Sequence, residues 1–330
     1  MARLVAAFGT SHSTMLFSSL ENWQSLFDHI DCKAPINDFD GTPRSFEELL
    51  RNTPASEQEK IAPALIAERH TATDNAMNRV ESDIEAARLD VMIVIGDDQR
   101  EIFKDASRPA IGVYYGDTIR NAAAPKEPPA DWYFADQRAR LEENEDRFYP
   151  VHAALGEYLI TGLMDRDFDI TAVKALVGEQ FEGHAYSFVH RRYMRRHATP
   201  MVPIFLNTYY PPNQPSPQRC FALGLAIREI VKAFPDDIRV GILASGGLSH
   251  FLVNETLDRK VVDALKTQDF DALQNLPAAL LHTGSSEIRN WICVAGAAQD
   301  LELNWIDYIP AYRSKALTGV GLCFAGWSPK

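Results

Sequence analysis

An α/β fold, with helices on both faces of a mainly parallel or mixed central sheet, is what this sequence predicts, and three observations predict it. Short, continuously apolar runs recur along the chain, as strands buried on both faces require. Amphipathic stretches of helical spacing lie between them, and strands alternating with helices build layered α/β structures. At 330 residues and 46% hydrophobic content, the chain is long and apolar enough to bury the core such a fold needs.

The strand candidates, in order, are "RLVAAFG" (3–9), "VMIVIG" (91–96), "AIGVYY" (110–115), "MVPIFLN" (201–207) and "VGILASGG" (240–247). The helix candidates are 61–89, where Ile66, Met77, Val80 and Ile84 fall near helical spacing, then 220–234, 255–273 and 286–298. Two polar, loop-rich segments, 28–58 and 121–150, read as insertions that cap a site or an interface. No repeat or low-complexity linker divides the chain, so residues 1–330 are expected to form a single domain.

Composition narrows the function classes. A formal net charge of -12 argues against a nucleic-acid partner, because phosphates are bound by basic surfaces. The one basic cluster, "HRRYMRRH" (190–197), reads as a solvated helix or loop face. Cys32, Cys220, Cys293 and Cys323 are scattered without CxxC spacing, which suits a reducing compartment rather than a zinc site or a disulfide framework. The first residues lack the apolar core of a signal peptide, and no run approaches the roughly 18 apolar residues of a membrane span. A soluble, cytoplasmic protein without membrane contact is expected.

Ligands of open α/β sheets bind at the carboxyl ends of the strands, and the residues there are chemically suggestive. His12 follows the first strand, "GDDQ" (96–99) the second, Asn207, Tyr209 and Tyr210 the fourth, and His250 the fifth. His184 sits in a glycine-led turn, and Glu287 falls in the first turn of a helix. Such an acid can simply complement the helix dipole; beside His12 and His250 it becomes the carboxylate that a metal site poor in histidine needs. No Walker A, GxGxxG, HExxH or GxSxG motif competes.

These stretches match a family. "GTSH" (9–12), "NTYYPPNQPSPQRCFALGLAIREIVKAFPDDIRV" (207–240), "ASGGLSH" (244–250) and "GSSEIRNW" (284–291) resemble the class III extradiol ring-cleavage dioxygenases. The type is the catalytic (beta) subunit of protocatechuate 4,5-dioxygenase, with gallate and 3-O-methylgallate dioxygenases alongside. The resemblance implies a non-haem Fe(II) centre; Asp97 and Asp98, hard oxygen donors after the second strand, would suit Mn(II) or another divalent metal instead. The resemblance further implies a vicinal dihydroxy aromatic acid as substrate, O2 as co-substrate, and a role in aromatic catabolism. Carried over residue by residue, His12 and Glu287 match metal ligands, and His250 and His184 match the catalytic histidines. Tyr209, Asn207 and Ser249 are then expected to contact substrate, and Arg191 or Arg192 to meet its carboxylate. Some relatives need a small second subunit as a lid, so a homodimer or a lid partner is expected.

One position departs from the pattern. Relatives place a second iron-binding histidine where this chain has Gln99, so Gln99 is the expected third ligand, as a weaker and neutral oxygen donor. His70 is a candidate substitute: strand and helix rises of roughly 3.3 and 1.5 Å per residue return the helix to the same sheet end near His70 and Asp74. Two alternatives follow from Gln99. One keeps the fold and uses a Lewis-acid metal for hydrolysis, decarboxylation or isomerisation. The other is a partner subunit that has lost catalysis, against which the joint presence of His12, His184, His250 and Glu287 counts.

Overall fold

Every residue from Val91 to Asp97 is buried, and so is every residue from Met201 to Leu206. Strands without a polar face must be covered on both sides. The computed structural model, which describes residues 1–23, 25, 31, 33–124 and 141–330, shows how. Nine strands form one mixed sheet. They are β1 (Arg3–Thr10), β2 (Val91–Asp97), β3 (Ile111–Tyr114), β4 (Thr171–Val173), β5 (Met201–Leu206), β6 (Arg239–Ser245), β7 (His250–Leu252), β8 (Leu301–Tyr312) and β9 (Thr318–Pro329). Their order is β7-β9-β1-β6-β2-β5-β3-β4, with β8 paired to β9. The four strands β1, β6, β2 and β5 run parallel, so their carboxyl ends share one edge of the sheet. β9 joins β1, β7 and β8 antiparallel.

Six helices matter to the argument: α1 (Pro63–Ala87), α2 (Ala153–Met164), α3 (His184–Tyr193), α4 (Pro217–Ala233), α5 (Glu255–Thr267) and α6 (Ile288–Ala297). Residues of α2, α4, α5 and α6 join one buried cluster, and those of α1 and α3 join the cluster on the other face. The start of α4 is set locally: the Ser216 side chain accepts the Arg219 N–H, and Pro217 follows at the first helical position. Where α4 crosses α6, a Cβ on Gly224 would lie 1.9 Å from the Cys293 carbonyl oxygen, so this contact requires glycine.

The sequence-based strands all form, and four further ones appear in the sheet, β4, β7, β8 and β9. The β8–β9 hairpin escapes a search for apolar runs because β8 is only partly buried and carries Pro310. An outer strand tolerates that proline because one of its edges needs no ladder partner. The helix expected over 255–273 breaks at Gln268, which adopts a left-handed φ of 55°, and a short second helix, Phe270–Gln274, follows. Of the two expected insertions, the described part of 28–58 forms a small hairpin (Ile36–Asn37 with Pro43–Arg44) and a capped helix, Phe46–Asn52. Most of 121–150 lies outside the described residues. No helix among the described residues is long and apolar enough to cross a membrane.

Candidate metal and active site

The parallel strand ends converge as the fold class requires. β1 runs into His12, β2 ends in Asp97, and β6 ends in Ser245 before Gly246 and Gly247. Two helix starts meet this edge. Gly183, with a φ of 84°, introduces α3 so that His184 is its first residue. A Cβ on Gly96 would sit 2.9 Å from the Ala185 side chain, which is why α3 can lie against the end of β2. The start of α6 is tied to β6 and its turn by Asn290 to the Ser245 carbonyl and Trp291 to the Gly246 carbonyl, each 2.8 Å. Together these place Glu287, the residue before α6, beside His12.

The tautomer of His12 follows from its partner. The Ser245 hydroxyl donates its only proton to the Ala185 carbonyl (2.7 Å), so it accepts from His12 Nδ1–H at 2.9 Å. His12 Nε2 is therefore left as a bare lone pair, buried and without a hydrogen-bond partner. Asp97 Oδ1 is likewise buried and unpartnered, and lies 3.8 Å from it. His184 is oriented in the same manner, because Glu101 binds both its Nδ1 (2.6 Å) and its backbone N–H (2.9 Å). Its Nε2 then points at Asp97 Oδ2, 3.9 Å away. Ligand atoms of His12, Asp97 and His184 all lie within 4.8 Å of one another.

Glu287 links this cluster to His250. One carboxylate oxygen accepts the Gly247 N–H (2.8 Å) and lies 3.4 Å from His12 Nε2. The other is 3.1 Å from His250 Nε2 and accepts the Tyr209 hydroxyl at 3.4 Å. A Cβ on Gly284 would stand 1.8 Å from the His250 ring, so the turn before α6 admits that ring only as glycine.

The electrostatics call for added positive charge. Burial, reinforced by Glu287, pushes the Asp97 carboxyl up to about 6. Burial acts to lower His184, yet Glu101 and Asp97 override it and raise the imidazole to about 10. His250 is also raised, against burial, by Glu287. Burial opposes the Glu287 charge, but His250 beside it holds its carboxyl well below the usual range. Acids that make neighbouring imidazoles hold protons form a pocket suited to a cation, and two bare donor atoms facing each other are what a metal site presents.

Several sequence expectations are redrawn. Gln99 reaches the cluster through its amide nitrogen, which donates to Asp97 Oδ2 (3.2 Å), and it is Asp97 that offers an open oxygen. β2 ends at Asp97, so it is the acid at the strand's last position, not the glutamine in the loop beyond it, that faces His12. His70 joins no part of the cluster: it lies 3.5 Å from Asp74 and packs on Trp23. The reason is that α1 lies chiefly over β8, β9 and β1, not along β2, so counting back along it does not return to the site. Ser249 binds Asp258 and the Asn254 N–H, which turns its hydroxyl away from the site. Asn207 is engaged by Tyr210 and Asn213 within its own loop. Arg191 pairs with Glu143, and Arg192 with Glu81 and Asn78, so neither is free for a substrate carboxylate.

Two contributors gave little sequence signal. Glu101 orients His184, and buried Arg289 ties the loop bearing Tyr209, through the Pro215 carbonyl, to the Leu281 carbonyl ahead of α6, each at 2.9 Å.

An α/β sheet carrying an imidazole and carboxylate cluster at its parallel strand ends presents ligand atoms spaced as a bound metal ion would need them. Residues 145–323 match the family described as the catalytic LigB subunit of aromatic ring-opening dioxygenase, which is more than half of the chain. The chain belongs to this family. Among curated proteins it is 44% identical over 36 residues to a gallate dioxygenase of Pseudomonas putida, 11% of either chain. It is 33% identical over 100 residues to a 2,3-dihydroxyphenylpropionate/2,3-dihydroxicinnamic acid 1,2-dioxygenase of Comamonas testosteroni, 30% of either chain. These matches therefore span less than a third of either relative's length. An uncharacterised Escherichia coli K12 protein of known crystal structure aligns over 97% of this chain and 99% of its own, at a TM-score of 0.44 and 12% identity.

Proposed function

We propose that the protein is a metal-dependent, extradiol-type ring-cleaving dioxygenase acting on a vicinal dihydroxy aromatic acid of the protocatechuate or gallate kind. The observation that carries this reading is the facing pair of buried, unpartnered atoms, His12 Nε2 and Asp97 Oδ1, in a member of this family. His12, Asp97 and His184, with Glu287 beside them, would hold a divalent metal. Two imidazoles and carboxylate oxygens suit Fe(II), and the oxygen-rich remainder also suits Mn(II). When bound there, the metal supplies an electrophilic centre for the substrate's two oxygens and O2.

The remaining chemistry belongs to the chain's own side chains. His250 presents Nε2 to the site while its Nδ1 is held by the Leu248 carbonyl at 3.0 Å. Only Nε2 can then exchange a proton with a substrate hydroxyl, as a general acid and base. Tyr209, donating to Glu287, walls the same side. Gln99 steadies the Asp97 carboxylate. Free Cys220, Cys293 and Cys323 suit work in the cytoplasm.

A second reading, non-oxidative chemistry on the same pocket, draws on the amide nitrogen that Gln99 presents in place of an imidazole. One experiment separates the two. The apoprotein is loaded anaerobically with Fe(II) or Mn(II), metal content is measured, and O2 uptake is followed with protocatechuate, gallate and 3-O-methylgallate. Uptake of O2 with at least one substrate is expected, together with loss of bound metal in Asp97→Ala. Bound metal without O2 uptake on any substrate overturns the dioxygenase reading in favour of the second.

A further inference from the structure

We propose that Asp258 is a positioning residue for His250, acting through the single peptide unit that joins Leu248 to Ser249. The reading of His250 as the acid and base is the one given above; the geometry below stands apart from it.

The peptide unit is engaged at both ends. Its carbonyl oxygen, on Leu248, is 3.0 Å from His250 Nδ1, and its N–H, on Ser249, donates to Asp258 Oδ1 at 2.8 Å. A carbonyl can only accept, so the ring donates Nδ1–H, and carboxylate, peptide and imidazole form one line of aligned dipoles. Hydrogen bonds in such a chain polarise one another. Negative charge on Asp258 draws the peptide N–H and makes the carbonyl at the far end a stronger acceptor. That fixes the ring with Nε2 toward Glu287, 3.1 Å away.

The carboxylate is built in for this task. Asp258 is fully buried on α5 and receives, besides the peptide N–H, the Ser249 hydroxyl and the Tyr308 hydroxyl, each at 2.7 Å. A Cβ on Gly321 would lie 2.2 Å from Asp258 Oδ2, so β9 leaves room for the carboxylate at that one position. The Gly321 N–H in turn holds the Ser249 carbonyl (2.8 Å), which keeps the turn in register with β9. Burial raises the Asp258 carboxyl to about 6, so it is charged at pH 8. A charge of this kind, oriented through an intervening group toward a reacting histidine, is the arrangement by which outer groups tune a site.

The test uses Asp258→Asn, which is isosteric and lacks the charge, in the metal-loaded protein and, for spectroscopy, the metal-free protein at pH 8. With histidines labelled by ¹⁵N, the His250 Nδ1–H proton resonance is assigned by its loss in His250→Asn. It is expected to move upfield and exchange faster with solvent in Asp258→Asn. The kcat is expected to fall about 10- to 100-fold with KM unchanged. Tyr308→Phe removes a competing donor and leaves the charge on Asp258, so the resonance is expected to move downfield. This opposite sign serves if Asp258→Asn does not fold. An unmoved resonance in both variants, or a wild-type kcat in folded Asp258→Asn, overturns the proposal. The resonance shift in a protein that turns over no dihydroxy aromatic substrate supports the positioning and overturns only the dioxygenase reading.

Discussion

Two buried polar clusters of this molecule face opposite demands. In one, Arg313 donates to both oxygens of Asp31 at 2.9 and 2.6 Å, with both side chains almost wholly buried. Thr318 adds its hydroxyl to Asp31, and Ser314 pairs with Thr318 at 2.6 Å. In the other, His12, Asp97 and His184 converge, and His12 Nε2 and Asp97 Oδ1 are left bare. Buried polar groups in proteins are almost always paired. The first cluster is closed, as a group that holds structure should be. The second is open, which fits a group that takes a ligand.

The comparison can be broken or sharpened by substitution. Arg313→Ala strands a buried carboxylate and should lower stability by about 3–5 kcal/mol, measured by urea denaturation. Next in size is a pH effect at Asp258, another closed group. Its folded carboxyl, raised by burial to about 6, lies above the 3.8 of a free aspartate, so folding favours the protonated form. Stability from this group is full below pH about 4 and is lost as pH rises through 6. Roughly two pH units at 1.36 kcal/mol each make the loss about 3 kcal/mol. Asp258→Asn should flatten that part of the metal-free stability profile. A slope that persists in the variant assigns the effect elsewhere.

Gly284→Ala forces a methyl into the His250 ring and should cost about 1–3 kcal/mol while removing activity from the folded protein. Asp97→Asn should do the reverse to stability. The metal-free protein gains on the order of 1 kcal/mol in thermal denaturation, because a buried charge is removed, while bound metal is lost. If stability falls instead, the open cluster is a structural one. Finally, His70→Ala should leave metal content unchanged and stability within about 0.5 kcal/mol.

What could be read from the sequence follows from what each pattern encodes. Continuous apolar runs encode strands buried on both faces, so β1, β2, β3, β5 and β6 were legible and the partly exposed β8 was not. His12, Glu287 and His250 were legible as polar residues at strand and helix ends, and the structure brings them within 3.4 Å of one another in sequence, His12 to Glu287 and Glu287 to His250. Asp97 was legible as a hard oxygen donor near Gln99, but its bare oxygen facing His12 was not, since folding alone brings those two atoms together. Asp258 and Glu101 were illegible, since they act on a peptide and on a ring brought close only by folding.

The first insertion has a consequence for any attempt to shorten the chain. Its start is clasped through Asp31 to Arg313, and Lys60, just past its end, reaches Glu255 at 2.9 Å. Between them Ile36 and Leu49 pack with Leu252 of β7, the strand that begins with His250. Asn37 and Phe39 line the small cavity on which His250 also opens. The segment that looks most dispensable in the sequence thus lines, with His250, one wall of the same cavity. A trimmed enzyme lacking it would keep all four proposed metal-site residues and lose the backing of the strand from which His250 works.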